Sequence, residues 1–120
     1  MLPYIAPEVL RGYRYTKAAD VYSFGIIMWE MTAGVPAYNN VPHDLNLSLD
    51  IVCKGLRPKI VEGTDPEYLE LMKQCWNSDP GKRPTAEELV EYFKKWKRLY
   101  SIRLIYIKEY QYQVKYGCMI

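Results

Sequence analysis

The hydrophobic positions of the chain fall into helical rows separated by loops that carry proline and glycine. The densest row is Thr16 to Thr32, with Val21, Tyr22, Phe24, Ile26, Ile27, Met28, Trp29 and Met31. Apolar side chains point almost all round this helix, so it is predicted to be central and enclosed rather than amphipathic. Asp20 is placed to cap its N-terminus, and Gly34 followed by Pro36 to close it. A second helix is predicted from about Asp44 to Lys54, with Leu45, Leu49 and Val52 on one stripe and Gly55 as its stop. A third opens at Asp65-Pro66, a cap followed by proline at the first helical position, and carries Leu69, Met72 and Trp76 before Asn77-Ser78-Asp79-Pro80-Gly81 ends it. A fourth starts at Thr85-Ala86-Glu87-Glu88, a capping-box pattern, and continues with Leu89, Tyr92, Phe93 and Trp96 at helical spacing. No comparable strand stands out before residue 98. The fold class is mainly α.

The last 23 residues read differently. Residues 1–97 carry 12 Lys/Arg against 13 Asp/Glu, whereas residues 98–120 carry Arg98, Arg103, Lys108 and Lys115 against Glu109 alone, with five of the 12 tyrosines. The chain thus divides by composition into 1–97 and a Tyr-rich basic tail, 98–120. Within the tail Tyr110, Tyr112, Val114 and Tyr116 alternate with Gln111, Gln113 and Lys115, which is strand periodicity, while Tyr100 to Tyr106 fit a continuation of the fourth helix. Both readings stand on the sequence.

Composition narrows the function. A net charge of +2 is too balanced to point to nucleic acid or to a membrane as the main partner. The run Val21 to Met31 is too short for a span and contains Ser23 and Glu30. The N-terminus lacks the basic start and apolar core of a secretory signal. Cys53, Cys75 and Cys118 are widely spaced and odd in number, which favours a reduced cytoplasmic or nuclear setting and no zinc site. His43, the single histidine, reads as a solvated loop residue, and the seven glycines are isolated, with no phosphate-cradling loop among them. On these residues alone the chain is a helical domain of unknown role with little catalytic equipment.

A series of short motifs adds to this. Tyr4-Ile5-Ala6-Pro7-Glu8 resembles the Ala-Pro-Glu motif that ends the activation segment of eukaryotic protein kinases. Asp20-Val21-Tyr22-Ser23-Phe24-Gly25 is similar to the start of the kinase F helix. Gly55-Leu56-Arg57-Pro58, Cys75-Trp76-Asn77-Ser78-Asp79-Pro80 and Arg83-Pro84-Thr85 follow in the family's order. Each is weak alone; five in register over residues 3–97 identify the helical lower part of a kinase C-lobe. The Tyr-x-Ala-Pro-Glu form resembles serine/threonine kinases, and Cys-Trp before Asp-Pro is common among tyrosine kinases, a combination that resembles the tyrosine-kinase-like group.

The resemblance implies a family that transfers phosphate from MgATP to protein hydroxyls. It carries over no catalytic, cofactor-binding or metal residue, because the Gly-rich loop, the strand lysine, the His-Arg-Asp loop and the Asp-Phe-Gly motif have no counterpart in these 120 residues. No cofactor is therefore expected on this chain, and it is expected to be inactive alone. What the resemblance does carry over is architectural. It implies a buried ion pair between Glu8 and Arg83, and core positions for Trp76, Trp29 and Phe24. Asp20 either bonds the catalytic loop, as in the family, or caps its helix. Pro3 and Tyr4 match the floor of the peptide-substrate groove. Protein partners, or self-association through apolar surface on the F-like helix, are the expected interactions; a protein-interaction module derived from a kinase C-lobe is the alternative function. The abrupt end of the resemblance near Trp96 is also what read-through into noncoding sequence would produce.

Overall fold

The computed structural model describes residues 1–116, with the side chains of Tyr112 and of residues 114–116 outside the description. The tail cysteine, Cys118, therefore lies outside the described residues, as do the side chains of Tyr112, Val114 and Tyr116 in the alternating stretch. The elements in chain order are a 3-10 turn at Leu2–Tyr4, α1 (Pro7–Leu10), α2 (Lys17–Ala33), α3 (Leu45–Lys54), α4 (Pro66–Cys75), a second 3-10 turn at Pro80–Lys82, and α5 (Ala86–Tyr116). All regular structure among the described residues is helical. The chain forms two compact units, Met1–Ala86 and Glu87–Ile120.

The first unit is built on α2, which packs against α4 and both 3-10 turns, while α1 packs against α3. Its buried set includes Tyr22, Ile26 and Met28 from α2, Ile51 from α3, and Leu71, Met72 and Cys75 from α4. Hydrogen bonds fix how these helices meet. The Tyr68 hydroxyl donates to the Met28 carbonyl at 2.8 Å, tying α4 to α2. Trp29 Nε1 donates to the Lys59 carbonyl at 2.7 Å, holding the α3–α4 connection. At the α2–α4 crossing only a hydrogen fits on Gly25, because a Cβ there would stand 2.8 Å from the Cβ of Cys75.

The ends of these helices follow local chemistry. Asp44 and Asp65 cap α3 and α4 by accepting from backbone N–H groups two or three residues on. Gly34 and Gly55 close α2 and α3 in the left-handed conformation that glycine adopts without strain. The N-terminus of α2 corrects the sequence expectation. Thr16, not Asp20, is its cap, accepting from the Ala19 N–H. Lys17-Ala18-Ala19 are good helix formers, so the helix starts a turn earlier, and Asp20 sits in the first turn, where its charge still opposes the helix dipole.

Two packing expectations also change. α2 is not enclosed all round: Asp20, Ile27 and Met31 share one exposed line, with Ile27 43% and Met31 70% accessible. Because that line is itself partly apolar, the amphipathic period is invisible in the sequence. On α3 the packed stripe is Leu47 and Ile51, while Leu45 and Leu49 face outward and Val52 is half-buried. Two apolar rows at i, i+4 spacing compete on this helix, and packing selects the second.

The second unit is the remainder of α5. The compositional break after residue 97 is no break in structure, since α5 runs through it to Tyr116. Helix nucleation is the costly step and has been met by residue 90, so propagation wins over a short alternating pattern. Edge-to-face packing of Phe93 on Trp96, with ring centroids 5.0 Å apart, supports the helix at the point where the tail begins.

Candidate functional site: the Glu8–Arg83 clamp and the Tyr4 shelf

Arg83 is the one buried charged residue among the described residues. Its Nη1 and Nη2 donate to the two carboxylate oxygens of Glu8, both at 2.8 Å, a bidentate ion pair across 75 residues of chain. Nη1 also donates to the Ala18 carbonyl at 3.0 Å, and Nε to the Asn77 carbonyl at 2.9 Å. One guanidinium thus joins α1, the start of α2, and the turn after α4. The fork geometry needs arginine, since a lysine ammonium cannot meet two carboxylate oxygens and two carbonyls at once. Burial works against the Glu8 carboxylate, but the Arg83 hydrogen bonds, with help from its own backbone N–H and from Arg11, outweigh it and hold Glu8 below its ordinary value.

Tyr22 lies between this clamp and a second arginine. The Arg83 and Arg57 guanidinium carbons sit 5.2 and 5.1 Å from its ring centroid, within cation–π range. The ring is fully buried and its hydroxyl has no hydrogen-bond partner among the described residues. Burial pushes that hydroxyl up, against the pull of the two arginines. Arg57 itself donates to the carbonyls of Trp76 (2.9 Å) and Leu56 (2.7 Å) and to the Ser78 hydroxyl (3.0 Å). It therefore staples the end of α3 to the end of α4.

The N-terminal segment is fixed by different contacts. The Tyr4 hydroxyl donates to both Glu30 carboxylate oxygens at 2.9 and 2.8 Å, and the Ala37 N–H donates to Oε2 at 2.7 Å. The Ser23 hydroxyl donates to the Tyr4 carbonyl at 2.5 Å. Its hydrogen bond to Glu30, then burial, raises the Tyr4 hydroxyl. Pro3 is buried and Tyr4 half-buried, so the two residues form a shelf on α2.

The structure brings Glu8 and Arg83 together, seats Pro3 and Tyr4 on α2, and buries Trp76 and Trp29. Phe24 is half-buried. Asp20 is exposed, and its carboxylate accepts from the Tyr15 hydroxyl at 2.8 Å. His43 is exposed, with its Nε2–H donating to the Tyr38 carbonyl at 3.0 Å. Sequence reasoning gave no role to Arg57, Glu30 or Ser23. Glu30 carried a usable signal, an acid inside an otherwise buried apolar run, and Arg57 lay inside a quoted motif. Among the described residues no group of three or more His, Cys, Asp or Glu could hold a metal ion, and no helix is long and apolar enough to cross a membrane.

The five motifs therefore meet in one helical unit tied together by the Arg83 and Arg57 forks, the arrangement of a protein kinase's helical lobe. Residues 1–93 match the family described as protein tyrosine and serine/threonine kinase, and the chain belongs to that family. It is 40% identical over 90 residues to a probable serine/threonine-protein kinase of Dictyostelium discoideum, a match covering 75% of this chain and 7% of that protein. It is 42% identical over 86 residues to the probable serine/threonine-protein kinase drkB of the same organism (72% of this chain, 12% of the relative). Serine/threonine-protein kinase STY17 of Arabidopsis thaliana is 40% identical over 88 residues (73% and 15%). The chain thus spans a small fraction of the length of these relatives.

Proposed function

We propose that this chain is the helical platform of a serine/threonine protein kinase domain of the tyrosine-kinase-like group, and that these 120 residues alone neither bind MgATP nor transfer phosphate. The observation that carries the reading is the Arg83 fork, which locks the Ala-Pro-Glu segment onto α2 and the turn after α4. A segment anchored in this way holds Pro3 and Tyr4 in place as a shelf for an acceptor peptide, and the Glu30 and Ser23 contacts keep that shelf rigid. Phosphoryl transfer relies on positioning nucleotide, metal and hydroxyl, and no residue here matches the family positions for those tasks. The serine/threonine assignment is supported by Tyr4-Ile5-Ala6-Pro7-Glu8 and by the names of the relatives.

Purified chain is expected to give no saturable MgATP titration at millimolar nucleotide and no labelled protein product. A chimera joining it in frame to the upstream kinase segments of a close relative is expected to phosphorylate serine and threonine. Saturable nucleotide binding with product from the chain alone, or a chimera making only phosphotyrosine, would overturn the proposal. A second reading, a protein-interaction module, is favoured by one observation: Leu45 on α3 is 72% exposed and Met31 on α2 is 70% exposed. On that reading the chain self-associates or takes a protein partner, and Met31→Lys or Leu45→Lys shifts its sedimentation toward monomer.

A further inference from the structure

The distal half of α5 changes character once it is read as a helix. As a strand, the tail sets tyrosines against Gln and Lys and offers a thin apolar face. As a helix of 3.6 residues per turn, residues 97–110 sort themselves into two sides. Leu99, Tyr100, Ile102, Tyr106, Ile107 and Tyr110 fall within an arc of about 160°. Lys97, Arg98, Ser101, Lys108 and Glu109 fall within the opposite arc of about 120°, with the apolar Ile105 inside it and the exposed Leu104 at its edge, about 20° from Lys97. Arg103 lies inside the apolar arc, where its aliphatic stem can pack while the guanidinium reaches outward. The six apolar-arc residues are between 41% and 71% exposed.

We propose that residues 97–110 form an interfacial helix that lies on an anionic phospholipid surface. Three features commit the face to this occupant. The segment carries Lys97, Arg98, Arg103 and Lys108 against Glu109 alone, so it repels a second copy of itself and attracts a negative surface. The overall charge of +2 conceals this local excess. The apolar side is half tyrosine, a ring whose body is apolar and whose hydroxyl needs water, which suits the headgroup boundary better than a sealed protein groove. The helix is too polar to cross a bilayer, so it lies along the surface and does not span it. The proposal is independent of the phosphoryl-transfer reading.

Flotation of the full chain with vesicles tests this, because protein aggregates do not float. The chain is expected to rise with phosphatidylcholine vesicles containing phosphatidylserine, to stay behind with pure phosphatidylcholine, and to be released by a large increase in salt. The Lys97→Gln/Arg98→Gln/Lys108→Gln variant is expected to bind roughly a hundredfold more weakly. Should that variant lose its far-ultraviolet helical signal, the salt titration of the unaltered chain decides the matter. Equal flotation with neutral vesicles, no flotation with either, or capture by calcium-loaded calmodulin in place of vesicles would overturn the proposal, the last assigning the face to an acidic protein groove.

Discussion

Glu8 and Arg83 form a bidentate ion pair, both contacts at 2.8 Å, with the Arg83 side chain wholly enclosed and the Glu8 side chain 13% accessible. Removing either partner leaves the other's buried charge without its counter-charge, which costs about 3–5 kcal/mol. Domains of this kind have about 5–15 kcal/mol in all, so each single alanine variant is expected near the edge of folding. The Glu8→Ala/Arg83→Ala double variant should lose much less than the two singles combined, although Arg83→Ala also frees the Ala18 and Asn77 carbonyls. Urea unfolding of the four proteins measures the coupling. Additive losses would mean that the pair contributes nothing beyond its separate parts.

The same pair sets an acid limit. Glu8 is held below its ordinary value of 4.5 in the folded chain. A carboxylate depressed by folding contributes stability that is fully present above the unfolded value, and loses it as pH falls through the folded value. The urea midpoint is therefore expected to decline as pH drops below about 4.5, with Glu8→Gln showing a shallower decline from a lower starting point. Parallel curves for the two proteins would place the acid sensitivity elsewhere.

How far the sequence reached depended on which rule each residue obeyed. Asp44, Asp65, Gly34 and Gly55 obey local rules, and their helix ends are where local chemistry predicts. The Glu8–Arg83 pairing obeys no local rule; it was legible only because Ala-Pro-Glu and Arg-Pro occur in a known order. Thr16 and Asp20 are both good caps four residues apart, and the helix formers between them decided for Thr16. On α3, Leu45/Leu49 and Leu47/Ile51 are equivalent rows until α1 and the other neighbours choose one. The forks of Arg57 stayed hidden because their acceptors are backbone carbonyls, which every sequence has.

Cysteine labelling reads the packing of α4 directly. Burial pushes the Cys75 thiol up to about 12, against a smaller opposing effect of Arg83, whereas Cys53 is exposed. Since the thiolate is the reactive form, a maleimide near neutral pH is expected to modify Cys53 at once and Cys75 only as fast as the chain opens. Peptide mapping after brief labelling distinguishes them, with a burst at Cys75 in urea as the control. Equal rates at both positions without denaturant would mean that α4 does not stay packed on α2.

Gly25 lies where α2 packs against α4. A Cβ on Gly25 would lie 2.8 Å from the Cys75 Cβ, 3.3 Å from the Met72 carbonyl oxygen and 3.4 Å from the Cys75 carbonyl carbon. Carbon atoms prefer about 3.5–4.0 Å, and two of these three neighbours are backbone atoms that no rotamer change can move. Gly25→Ala must therefore push α4 away from α2, at a cost typically of about 1–3 kcal/mol for an overpacked core. Alanine's better helix propensity returns about 1 kcal/mol, so a net loss of stability is expected, and it should be visible as a lower urea midpoint. Adding Cys75→Ala should not rescue it, because alanine keeps the obstructing Cβ. Adding Cys75→Gly should recover part of the overpacking loss in a double-mutant cycle, because the nearest of the three contacts disappears. A Gly25→Ala variant as stable as the parent would mean that the two helices can separate freely, and that the crossing does not fix the position of α4.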